Sequence, residues 1–270
     1  MSDSEHHSDE PELPAEPRST LREKAMGFWG HLEELRWTLV KSALVFTVFA
    51  VFIGSYLQEF QDVLMWPFVK VKSEYPAITM VLGTQTIIEG FNVVMQMCIF
   101  GGLIMAAPFI LFFVGQFVAP ALNERETKAV LPLMLSALVL FLAGAGFSFF
   151  YLVPSTLRMA VEINTLLHYD LRWTPASYFS LLTWLVLGVG AGFEFPLVIV
   201  LLVWLGIVST AFLRKYRRHS FVLCFIIAAI VTPTPDPIVM TMFALPLYFL
   251  YEVAIIAAGR VEKKKAARFN

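Results

Sequence analysis

Gln116-Phe117-Val118-Ala119-Pro120-Ala121-Leu122-Asn123-Glu124-Arg125-Glu126 is a short polar hinge between two long apolar runs. An aromatic-Pro elbow followed by two acids and a base ends one helix, starts the next, and leaves carboxylates at a water boundary. The hinge thus predicts a chain that leaves an apolar medium, turns, and re-enters it.

Composition says the same of the whole chain. Apolar residues make up 58% of 270, with 25 Phe and a mean hydropathy of +0.70, far outside the range of soluble domains. A polytopic, all-α membrane protein is expected. The net charge of -1 says nothing about nucleic acid or acidic partners, because the charges fall in blocks at the ends and hinges. Cys98 and Cys224 lie in apolar runs and read as small buried hydrophobes.

Working outward from the hinge, apolar runs predict spans at about 91–116 and 129–153, each long enough for ~30 Å of hydrocarbon. Upstream, residues 1–25 are acidic and read as a disordered tail without a cleavable signal. Phe28, Leu32 and Leu35 recur at helical spacing as an interfacial amphipathic turn, and a first span follows at about 37–57, with Lys41 near its end. Residues 58–89 hold Pro67, Pro76 and Gly83 and predict a loop with one short helix. Downstream come a second loop at 154–175, a fourth span at 178–205, and a basic hinge around Arg214 to His219. The 14 residues between Arg218 and Pro233 make a fifth span of only about 21 Å. A span that short must thin the bilayer or shelter against other helices. The turn Thr232-Pro233-Thr234-Pro235-Asp236-Pro237 leads into a sixth span at about 238–258, and 261–270 form a basic tail. The six-span membrane domain is thus 26–260.

Of the 20 Lys and Arg, 15 fall in the N-terminal segment, the hinges on its side and the C-terminal tail, against four in the opposite loops. The positive-inside rule then puts both termini and the Phe117 hinge in the cytoplasm.

Glu194 sits mid-span in Gly192-Phe193-Glu194-Phe195-Pro196. An ionised carboxylate there costs at least ~2.5 kcal/mol, so it is protonated, paired or wet. A neutral Glu bonded to nearby backbone, a proton or ion site, and an acceptor for another protein's helix all satisfy that requirement. Glu252 lies nearer the cytoplasmic end of its span. Pro108, Pro132, Pro196 and Pro246 interrupt four spans and should kink them. No His or Cys pair has metal-ligand spacing, Ser148 has no His within the spans, and no glycine loop could cradle a phosphate. Neither metal, nucleotide cofactor nor enzymatic activity is expected. The cytoplasmic acids Glu33, Glu34, Glu124 and Glu126 read either as solvated charges at helix starts or as partners for paired guanidinium groups, which form forked bonds with carboxylates.

In combination, His31-Leu32-Glu33-Glu34-Leu35-Arg36, Phe117-Val118-Ala119-Pro120-Ala121-Leu122 with Glu126, Phe193-Glu194-Phe195-Pro196, Thr232-Pro233 with Asp236, and Ala244-Leu245-Pro246 with Glu252 resemble the TatC family, over about 28–260. TatC is the polytopic receptor subunit of the twin-arginine protein translocase. The resemblance implies a concave, glove-like bundle in a bacterial cytoplasmic (inner) membrane. It implies binding of twin-arginine signal peptides on folded precursors, and recruitment of single-span TatB/TatA-type subunits for export driven by the proton-motive force. Self-association in a receptor complex is implied as well. By position, Glu34, Arg36, Phe117 and Glu126 match signal-peptide binding residues, Glu194 the intramembrane acid, and Thr232, Asp236 and Glu252 the partner-docking region. Thr38, Met240 and one extra residue between Thr232 and Asp236 depart from the family pattern. The competing class is a proton-coupled small-molecule secondary transporter working through Glu194. Such transporters usually carry an internal repeat, and none is visible here. An intramembrane hydrolase would lack its nucleophile and base.

Overall fold

The computed structural model describes residues 19–118, 130–232 and 236–269, with side chains over 29–117, 131–232, 236–260 and 262. It begins with one unbroken helix, α1 (Ser19–Ser55). The expected interfacial turn and first span are continuous because no proline lies between them, and isolated glycines only weaken a helix. α1 also takes in 19–25, the end of the stretch read as a disordered tail; residues 1–18 lie outside the described residues.

The stretch 58–89 is richer than the loop with one short helix expected there. It holds two short helices, α2 (Leu57–Leu64) and α3 (Trp66–Glu74), with Pro67 in the first turn of α3 where its missing N–H costs nothing. A two-residue strand, β1 (Val81–Leu82), follows. Next come α4 (Glu89–Val118) and α5 (Val130–Phe147). The segment 154–175, expected to be loop, is largely helical. A π-helical stretch (Ser148–Leu152) carries α5 directly into α6 (Val153–Leu166), and Pro154 falls at the start of α6, where it is tolerated. β2 (Arg172–Trp173) then pairs in parallel with β1, Val81 opposite Arg172 and Leu82 opposite Trp173, stapling the two connecting segments together.

The fourth apolar run is two helices, α7 (Pro175–Phe193) and α8 (Phe195–Trp204), broken at Glu194. A turn in which Gly206 adopts φ +78 leads to α9 (Thr210–Lys215). α10 (Arg217–Val231) and α11 (Pro237–Phe269) complete the chain. Of the four prolines expected to interrupt spans, only Pro108 and Pro246 do so from inside a helix. Pro132 and Pro196 occupy first turns, of α5 and α8.

Among the described residues five helical stretches are long and apolar enough to cross a membrane: Trp29–Ser55, Glu89–Phe117, Leu131–Leu166, Pro175–Trp204 and Pro237–Arg260. α10, the expected fifth span, has 15 residues and so reaches about 22 Å. It is sheltered on one side, where Cys224 and Ala228 are buried in a cluster with Val189, Phe193, Phe243 and Leu247.

Helix association inside a bilayer depends on close packing rather than on escape from water. α1 lies along α4, where Gly102 lets the backbones meet: a Cβ there would stand 3.0 Å from the Ala50 Cα. Away from that contact, Leu39, Leu44, Val48 and Val51 are exposed, as a lipid-facing helix requires. A separate core joins α2, α3, α4, α6 and α7 beneath the β1–β2 pair. There the buried Tyr178 hydroxyl donates to the Leu64 carbonyl at 2.6 Å. Arg158 closes this region with a forked pair to Glu74, Nε to Oε2 at 2.6 Å and Nη2 to Oε1 at 2.8 Å. That hydrogen-bonded guanidinium holds the Glu74 carboxyl below its ordinary value.

Candidate functional site

At the end of α4 the chain makes a groove against the first half of α1. Gly30, Glu33, Glu34, Trp37, Thr38 and Lys41 line one wall, Gln116 and Phe117 the other, and the cavity is about 530 Å³. The α1 residues fall at i, i+3, i+4, i+7, i+8 and i+11, a single stripe of a 3.6-residue helix. Leu32 and Leu35, read as part of an interfacial amphipathic turn, are exposed and off the stripe.

His31 ties the two helices together. Its ring stacks on that of Phe117, with centroids 4.3 Å apart and planes at 16°. Its Nδ1 lies 3.6 Å from Glu34 Oε2. The aromatic partner of Phe117 and the neighbour of the Glu34 carboxylate are thus one side chain. Glu34 itself is half exposed. The groove offers two carboxylates at its mouth, one ammonium on Lys41, and aromatic faces from Trp37 and Phe117. That set accepts forked hydrogen bonds from a guanidinium and stacks its plane, which an ammonium cannot reproduce.

Of the four residues expected to bind a signal peptide, the structure brings together Glu34 and Phe117. Arg36 is two residues from Glu34 and hence about 200° around the helix; it is exposed and does not line the groove. Glu126 lies outside the described residues. His31, Trp37 and Lys41 were not singled out as site residues. The helical stripe could have indicated Trp37 and Lys41, but nothing local in the sequence announces the contact of His31 with a ring 86 positions away.

Glu194 occupies the break between α7 and α8. Its N–H donates to the Ala191 carbonyl, and its own carbonyl accepts from Leu197 and Val198. The carboxyl group interacts with the Phe141 main chain, while Oε1 is buried with no hydrogen-bond partner among the described residues. A buried, half-satisfied carboxyl at a helix break can accept a proton or a donor from outside the bundle.

Thr232, Asp236 and Glu252 do not form one surface. Thr232 is buried, and its hydroxyl donates to the Ala228 carbonyl at 2.8 Å. Asp236 is buried and caps α11, accepting from the N–H groups of Ile238 at 2.9 Å and Val239 at 3.2 Å. Glu252 stands about 24 Å further along the same helix. There it accepts from the Tyr248 hydroxyl at 3.1 Å and pairs with Arg217 at 2.9 Å. All three tie the chain to itself. Among the described residues no group of three or more His, Cys, Asp or Glu is placed to hold a metal ion.

Residues 30–246 match the family model described as "TatC: Sec-independent protein translocase protein (TatC)". A relative from Koribacter versatilis named Sec-independent protein translocase protein TatC is 34% identical over 246 residues, covering 89% of this chain and 88% of its own. One from Escherichia coli K12 with the same name is 31% identical over 232 residues, covering 83% and 85%. Among solved structures, "Crystal Structure of Twin Arginine Translocase Receptor- TatC" superposes with a TM-score of 0.71 at 29% identity, over 86% of this chain and 99% of that one.

Proposed function

The chain belongs to the TatC family of Sec-independent protein translocase proteins, and from that premise we propose that it is a non-enzymatic receptor and scaffold for twin-arginine signal peptides. It crosses a bacterial inner membrane six times within 26–260, α10 serving as a short fifth span, with 1–25 and 261–270 as cytoplasmic tails. The observation that carries the reading is the groove between α1 and α4, where Glu33, Glu34 and Trp37 on one wall face Phe117 on the other. Two carboxylates beside two aromatic rings suit a pair of guanidinium groups on an extended peptide. Glu126, nine positions after Phe117 in the sequence, is the further acid assigned to peptide binding. Arg36, matched by position to a signal-peptide binding residue, lies off the groove and is assigned no contact with the arginine pair. Membership in a protein-translocase family displaces the small-molecule transporter reading.

Glu194 serves a later step, receiving a polar group of a single-span partner subunit within the membrane while transport draws on the proton-motive force. Thr232, Asp236 and Glu252 support partner docking by holding the ends of α10 and α11, which present the docking surface. Charge reversal at Glu126 tests the peptide site. Glu126→Lys should remain in the membrane and lose co-purification with a twin-arginine precursor; retained co-purification would remove Glu126 from the site.

A further inference from the structure

We propose that the corner built by α9, the start of α10 and the end of α11 is a binding site for an anionic phospholipid. Residues 205–216 join two apolar helices and therefore lie at a membrane–water boundary. α9 is held there rigidly. Ser209 caps it by accepting from the Phe212 N–H, the Tyr251 hydroxyl donates to the Leu213 carbonyl at 2.9 Å, and the Thr210 hydroxyl donates to Glu262. Arg214 extends across the bare backbone of α11, its Nη2 3.6 Å from where a Cβ on Gly259 would stand.

The charges at this corner are unequally matched. Glu252 neutralises Arg217 at 2.9 Å, and Glu262 is engaged by Thr210. Arg214, Lys215, Arg218 and Arg260 are exposed and have no acidic partner among the described residues. Lys215 only overhangs the Tyr216 ring, 5.9 Å from its centroid. Beside these cations stand exposed apolar side chains: Ile207, Phe221, and Phe212, which lies against Tyr216 with ring centroids 4.4 Å apart.

An acidic protein surface would use the cations and leave Ile207, Phe212 and Phe221 in water. A phospholipid uses both, its phosphodiester reaching the guanidinium groups and its glycerol and upper chains covering the rings. The combination of unpaired cations and exposed rings on one fixed corner is what selects a lipid.

Native mass spectrometry of the full chain, released from nanodiscs of phosphatidylcholine with phosphatidylglycerol, counts the anionic lipid retained. The variant R214Q/K215Q/R218Q should retain less phosphatidylglycerol by on the order of tenfold or more. The charge-matched control R18Q/R22Q/K24Q should stay within about twofold of the parent protein. Phe212→Ala should also lower retention, and inorganic phosphate should not compete. If the triple variant fails to fold, R214Q and R218Q singly should each give a smaller loss. Equal loss in corner and control variants, or no loss in either, would overturn the proposal. So would displacement of the lipid by inorganic phosphate or by an acidic peptide.

Discussion

Replacing Glu34 with Gln keeps the side-chain volume and removes one of the two carboxylates lining the groove. A hydrogen bond to a charged group contributes roughly 1.5–3 kcal/mol when sheltered, whereas an exposed ion pair contributes about 1 kcal/mol at most. Glu34 is half exposed, with one oxygen already near His31, which places it toward the lower figure. The expected effect is about 1 kcal/mol, or roughly fivefold weaker binding of a twin-arginine peptide. Glu33→Gln should act similarly, and the double variant should lose about twenty-five-fold if each carboxylate meets its own guanidinium. Arg36→Gln, on the far side of the helix, should change affinity by less than about twofold. Fluorescence anisotropy of a labelled signal peptide on the protein in nanodiscs measures all four. Differences among them should shrink as salt rises, because the groups are exposed. An Arg36→Gln loss as large as that of Glu34→Gln would refute the groove as the recognition surface, as would an unchanged Glu34→Gln.

Close packing predicts opposite outcomes for two glycines. A Cβ at Gly192 would stand 2.9 Å from the Cζ of the fully buried Phe243, so Gly192→Ala should destabilise by about 1–3 kcal/mol in thermal unfolding; Gly146→Ala, with nothing within 4 Å, should stabilise by about 0.5–1 kcal/mol. Loss of the α11 cap in Asp236→Ala should destabilise by about 1 kcal/mol, with Asp236→Asn recovering most of it. The Glu74 carboxyl is held below its ordinary value by Arg158, so its contribution is complete above about pH 4.3 and disappears as pH falls through the lower folded value. Melting curves should therefore show Glu74→Gln less stable than the parent near neutral pH, the two converging in acid. Glu194→Ala should bind precursor normally and fail in transport; equal loss of both would reassign Glu194 to the docking step.

Hydropathy made the membrane class legible, because a long run without charge has few other uses. The fourth run carries its break at Glu194, where a kink at Pro196 was expected: Pro196 instead sits in the first turn of α8, a position that tolerates proline. Pro154, at the start of the stretch read as a loop, likewise opens a helix. There a π-helical stretch let the chain pass into α6, and a proline at a helix start resembles a loop when only its identity is known. Motif adjacency does not reveal facing: Arg36 stands next to the groove residues in the chain and does not line the groove. His31 was invisible as a bridge because its partner ring belongs to an element more than eighty residues away. The shortness of α10 was plain from the distance between Arg218 and Pro233. Which of its faces would be sheltered was not, because that depends on Phe193, Phe243 and Leu247 arriving from two other helices.

The most direct test places a photocrosslinking residue at Phe117 in native membranes and adds a twin-arginine precursor. A crosslink to the signal peptide is predicted, weakened when the arginine pair is replaced by lysines and when Glu33 and Glu34 are both changed to Gln. A crosslink of undiminished strength to the lysine-pair precursor, or none to the arginine-pair precursor, would contradict recognition of guanidinium groups at this groove.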